Sequence, residues 1–96
     1  MVAYLIADLD IRDPEGFREY REGASAFIAK HGGEFLAVGS EVEILEGNWQ
    51  PHRLVLLRFP SKQAIRNFFA DPDYTALKKV RLQTSKTLAV AMDGIE

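Results

Sequence analysis

The sequence predicts an α+β fold: a ferredoxin-like βαββαβ sandwich, in which a four-stranded antiparallel sheet carries two helices on one face. Three observations predict it. Strand-like and helix-like stretches alternate in the order strand, helix, strand, strand, helix, strand. Both helical stretches carry start signals at their N-terminal ends. Several strands are apolar on both faces, yet the helices can cover only one. A chain of 96 residues makes one domain, residues 1–96, and at that size roughly two-thirds of the unfolded surface is buried on folding.

Val2 to Leu9 is a run of β-compatible apolar residues that stops at Asp10, Arg12 and Asp13, as a strand of ordinary length does. Asp13-Pro14-Glu15 starts a helix: a carboxylate at the N-cap, proline where its missing N–H costs nothing, and an acid in the first turn. Phe17, Tyr20, Ala24, Phe27, Ile28 and His31 recur at three- and four-residue steps and draw one apolar stripe. Gly32-Gly33 ends the helix, with one glycine expected in the left-handed conformation of a C-terminal cap.

Glu34 to Gly39 and Glu41 to Glu46 both read as strand, the second by alternation of Glu41 and Glu43 with Val42 and Ile44. Gly39-Ser40 is a bend or a bulge between them. Gly47 to His52 is a loop, and Arg53 to Phe59 is a strand with a buried centre. Pro60-Ser61 breaks that strand and caps a helix bearing Ile65, Phe68 and Phe69. Asp71-Pro72 repeats the Asp-Pro start signal, so Tyr74, Leu77, Val80 and Arg81 belong to helix resumed after a kink. Leu88 to Met92 is the last strand.

The composition narrows the function classes. Twelve Lys+Arg against fourteen Asp+Glu give a net charge of −2, with the basic residues scattered, so nucleic-acid binding has little support. The absence of cysteine excludes a disulfide framework, a thiolate nucleophile and cysteine-ligated metal. No apolar run approaches the ~20 residues of a membrane span, and no membrane partner is expected. Met1 to Ile6 has no basic n-region and meets Asp8 and Asp10 too soon for a signal peptide; the expectation is a cytoplasmic chain. His31 and His52 fall on different elements, and neither HExxH nor a glycine-rich phosphate loop is present, so no metal, nucleotide or other cofactor is expected.

Tyr4, Ile6, Phe35, Ala37, Leu54, Leu56, Val90 and Met92, or their alternates, line the sheet face left without helices. An open apolar face of that extent marks an interface. A two-fold homodimer packing sheet on sheet covers it.

Motifs along nearly the whole chain carry a family resemblance: Ala3-Tyr4, Asp13-Pro14 with Tyr20, His31-Gly32-Gly33, Glu46-Gly47-Asn48-Trp49, Arg53-Leu54-Val55, Asp71-Pro72-Asp73-Tyr74, and Leu77 with Arg81-Leu82. In these the chain resembles the short bacterial family known as domain of unknown function thirteen-thirty, within the dimeric α+β barrel superfamily. The resemblance implies that fold and a dimer, and no particular reaction. The wider superfamily includes cofactor-independent monooxygenases, lactone isomerases, haem-handling enzymes and ligand-sensing domains, which share architecture rather than function.

Six residues stand out as candidates, each with a structural alternative. His31 is a candidate proton-transfer group near neutral pH, or a cap on the last carbonyls of its helix. Trp49 and Glu46 are a pocket wall and its polar contact, or parts of a turn covering the end of the sheet. Arg53 and Arg81 orient an anionic substrate or stabilise an enolate, or pair with Glu43, Glu46 or Asp8. Tyr20 lines a site, or belongs to the core with its hydroxyl at the edge. Two functions follow from this set. One is a small cofactor-independent enzyme acting on an apolar or anionic metabolite by proton transfer or oxygenation. The other is a non-catalytic ligand-binding or structural dimer module.

Overall fold

The computed structural model describes residues 1–95. The elements are β1 (Ala3–Ile11), α1 (Pro14–Lys30), β2 (Glu34–Gly39), β3 (Leu54–Phe59), α2 (Lys62–Ala70), α3 (Thr75–Thr84) and β4 (Ser85–Asp93). The strands form one antiparallel sheet in the order β2-β3-β1-β4. This is the ferredoxin-like α+β sandwich, with the second helical stretch divided into α2 and α3.

Helix α1 begins and ends as its sequence dictates. The Asp13 carboxylate accepts from the Gly16 N–H at 3.1 Å, and Pro14 occupies the first helical position. At the other end Gly32 takes φ +81°, and the N–H groups of Gly32 and Gly33 donate to the carbonyls of Ala29 and Ile28. That is a Schellman closure, and it needs the left-handed residue that glycine supplies. The core lies between the helices and one sheet face: Ala3, Leu5 and Leu9 of β1 and Val55, Leu57 and Phe59 of β3 meet Phe17, Ala24 and Ile28 of α1, Ile65 and Phe68 of α2, and Tyr74. Gly23 lets α1 approach α3, since a Cβ there would stand 3.0 Å from Leu77.

Four expectations are corrected. Glu41 to Glu46 is not a strand. β3 starts at Leu54, which already pairs with Gly39, so the alternating segment has no backbone ladder left to join. Strands β1 and β4 are longer than read, because their register runs unbroken from Ala3↔Asp93 to Ile11↔Ser85. Asp71-Pro72 does not start a helix: Asp71 closes α2, its carboxylate accepts from the Asp73 N–H at 2.9 Å, and α3 begins at Thr75. A local side-chain turn has replaced the cap. Finally, Phe35 lies on the helix side. A bulge between Phe35 and Ala37 sets Phe35 opposite Leu57 and Ala37 opposite Leu56, so only Ala37 faces away from the helices.

The opposite sheet face carries Tyr4, Ile6, Leu54, Leu56, Leu88, Val90 and Met92, the last three 62%, 62% and 56% exposed. Asp8, also on this face, is a buried charge. The Asp8 carboxylate accepts from the His52 N–H at 2.9 Å and from Trp49 Nε1 at 3.3 Å, which pins the loop from Gly47 to His52 over that end of the sheet. A strand-interior carboxylate is tolerable when it is hydrogen-bonded in this way.

Candidate functional site

A cavity of about 310 Å³ lies between the sheet and the helices. Its floor is built from alternate residues of β1 and β3, Leu5, Ala7, Leu9, Val55 and Leu57, which the period of two turns toward the helices. Its roof comes from Phe17, Ala24 and Ile28 of α1 and from Phe68 and Phe69 of α2. Phe35 and Val38 of β2, 47% and 45% exposed, line it together with exposed Arg21 and Ser25, so it reaches the surface between β2 and α1.

The polar groups in this apolar space are few and alike in sign. Arg81 and Tyr74 enter from α3 and the turn before it, Tyr20 and Arg21 from α1, and Arg53 from the residue before β3, with Ser25 and Thr87 beside them. The Tyr20 and Tyr74 hydroxyls hydrogen-bond to each other at 2.7 Å. Burial pushes the Tyr20 phenol well above the ordinary tyrosine range. The neighbouring Tyr74 adds to that, and Arg81 opposes it. The cavity therefore presents a neutral phenol, a hydrogen-bond donor, at any physiological pH.

Arg81 is 6% exposed. Its guanidinium carbon stands 5.8 Å from the Tyr20 ring centroid and 6.0 Å from that of Phe69, within reach of cation–π attraction. Among the described residues no carboxylate lies within 4.0 Å of it. The expected acidic partners are elsewhere: Asp8 is engaged on the other sheet face, and Glu43 and Glu46 are exposed in the segment before β3. Arg53 reaches Ser40 Oγ at 3.5 Å.

The other candidates are outside this cavity. His31 Nε2 is 2.8 Å from Asp71 Oδ2, and its backbone N–H closes α1 on Ile28. The Asp71 carboxylate is an anchor, joined also by Lys30 Nζ at 2.8 Å. Lys30 first and His31 second hold it well below the usual carboxylate range. Trp49 is 59% exposed and bonds Asp8 at the far side of the sheet; Glu46 is exposed in the same loop. The structure thus brings Tyr20, Arg53 and Arg81 together and keeps His31, Trp49 and Glu46 apart from them. Sequence reasoning missed Tyr74 as a cavity-lining residue and Asp71 as the partner of His31, although both stand in the Asp71-Pro72-Asp73-Tyr74 motif. Among the described residues no three His, Cys, Asp or Glu side chains converge into a group able to hold a metal ion.

A family model described as "Domain of unknown function (DUF1330)" matches residues 2–95, and the chain belongs to that family. No curated protein matches the sequence significantly. Among solved structures it is similar to RPA0582, a protein of unknown function from Rhodopseudomonas palustris, at 16% identity and a TM-score of 0.80, covering 99% of this chain and 83% of the other. A dimeric ferredoxin-like protein of unknown function from Jannaschia sp. CCS1 matches at 14% identity and a TM-score of 0.69, over 98% of this chain and 100% of the other. SnoaB from Streptomyces nogalater, a cofactor-independent oxygenase, matches at 14% identity and a TM-score of 0.68, over 99% and 94%. These likenesses establish the fold.

Proposed function

We propose that this member of the DUF1330 family is a homodimer whose protomers each take up one small, largely apolar molecule in the cavity between sheet and helices. The observation that carries the reading is the cavity itself. It is walled by core side chains, reaches the surface between β2 and α1, and holds a few convergent polar groups, which is the usual make-up of a small-molecule site. The homodimer is supported by the open apolar face bearing Leu88, Val90 and Met92 and by the dimeric ferredoxin-like proteins of the same fold.

Binding is the function that the geometry supports best. The imidazole expected to move a proton is engaged by Asp71 away from the cavity, and the lining side chains that ionise are arginines and tyrosines. Such a set stabilises negative charge but does not abstract a proton at neutral pH. Oxygenation of an electron-rich ring is the second reading. It draws support from the fold shared with the oxygenase SnoaB and needs a substrate that ionises without help from the protein.

Val38→Trp tests the binding reading. Val38 sits exposed at the mouth on an edge strand that tolerates an aromatic residue, so the variant is expected to fold and to lose uptake of hydrophobic probes such as 2-naphthamide. Undiminished uptake would place binding elsewhere on the molecule.

A further inference from the structure

We propose that Arg81, with the Tyr20–Tyr74 hydroxyl pair, forms an anion subsite inside the cavity, so that the molecule taken up is an apolar or aromatic carboxylate or enolate rather than a neutral one; this rests on the cavity being a small-molecule site. Three observations carry it, and the first is the burial of an unmatched charge. At 6% exposure the Arg81 side chain as a whole keeps little contact with bulk water, and desolvating a charge is unfavourable unless an opposite charge or hydrogen-bond acceptors replace the water. Among the described residues no carboxylate lies within 4.0 Å to do so. The faces of Tyr20 and Phe69 and the neighbouring Tyr20 hydroxyl offset only part of that cost, since the guanidinium has five N–H donors and a neutral phenol oxygen engages few of them.

The second is the proton count of the tyrosine pair. Two phenols carry two hydroxyl protons, and their mutual bond at 2.7 Å uses one. The other remains for an external acceptor. An oxyanion beside Arg81 would take two parallel bonds from the planar guanidinium and a third from the phenol, the arrangement that suits a carboxylate.

The third is the sign of the whole lining. Arg21 and Arg53 stand with Arg81 around the cavity, and among the described residues no acidic side chain lines it. Arg21 is exposed at the surface, where it would draw an anion toward the mouth. Arg81, deeper and less screened, makes the selection. The apolar walls at Leu5, Val55 and Leu57 accept the remainder of the ligand. A free inorganic anion fits such a lining poorly, since its other oxygens would lose hydration against hydrocarbon.

Isothermal titration of the purified protein with 2-naphthoate and with 2-naphthamide, which has the same shape and no charge, tests the inference. The acid is expected to bind at least about tenfold more tightly than the amide. In Arg81→Met the preference disappears while amide binding stays. Tyr20→Phe reduces acid affinity alone. Should Arg81→Met fail to fold, the wild-type protein still decides the matter, because the Arg81 Nε–H resonance must move with acid and not with amide. Equal affinity for acid and amide, or an unmoved Arg81 resonance, overturns the anion subsite and leaves the cavity reading standing. Failure of both probes to bind overturns the two together.

Discussion

The His31 imidazole and the Asp71 carboxylate meet at 2.8 Å across 40 residues of chain, and Lys30 Nζ reaches the same carboxylate oxygen at 2.8 Å. The C-terminal end of α1 is thereby fastened to the joint between α2 and α3. Asp71 also accepts from the Asp73 N–H through its other oxygen, so one carboxylate fixes both the turn and the helix that packs beside it.

Stability in acid follows from this joint. The Asp71 carboxyl is held well below the usual range, chiefly by Lys30 and then by His31. A depressed folded value means that its contribution is complete above the unfolded pKa of about 4 and fades as pH falls from there toward the folded value. Asp71→Asn is expected to lower the thermal midpoint by several degrees at pH 7 and to flatten the dependence of that midpoint on pH below about 4. His31→Ala is expected to lower the midpoint and leave binding of 2-naphthoate intact. Lost binding in a folded His31→Ala protein would instead place His31 in the binding site.

The buried phenol gives an alkaline signature. Tyr20 is raised above the ordinary range by burial and by Tyr74, so its contribution is complete below about pH 10 and declines as pH rises beyond the unfolded value. Ultraviolet titration of the three tyrosines is expected to leave a late fraction that ionises only with alkaline unfolding. Tyr20→Phe removes part of that fraction; an unchanged late fraction would mean that the phenol is accessible.

Gly32 is a position where no other residue fits without strain. Its φ is +81°, and a Cβ there would stand 2.8 Å from Pro60 Cγ. Gly32→Ala is expected to destabilise by about 1–2 kcal/mol in denaturant titration. A neutral result would show that the turn can rearrange.

The open face predicts an assembly. Val90, 62% exposed on the central part of β4, is harmless as Asp in a monomer and unfavourable in a sheet-on-sheet interface. Sedimentation equilibrium is expected to give twice the chain mass for the wild type and a shift toward the chain mass for Val90→Asp, with unchanged circular dichroism. A wild-type monomer would contradict the interface.

The sequence carried the fold because most of its signals are local. Asp13-Pro14 and Gly32-Gly33 mark the ends of α1 through bonds made within a few residues, and alternation or apolar runs mark four real strands. Glu41 to Glu46 alternates equally well and is not a strand, since pairing depends on whether a partner has ladder to spare, and β3 has none before Leu54. The same limit governed the site. That among the described residues Arg81 has no acid beside it and His31 has one is decided by residues far along the chain, and spacing along one helix does not reveal it. The Asp71-Pro72 signal was legible as a helix start, whereas its actual work, holding Lys30 and His31, is three-dimensional.

The most direct test of the cavity as the site of function is a methyl-resolved NMR titration with 2-naphthoate. The methyl groups of Leu5, Ile28, Val38 and Val55, which line the cavity, should shift together and saturably, while those of Leu88 and Val90 on the open face should stay in place. Shifts confined to Leu88 and Val90, or none at all, would contradict it.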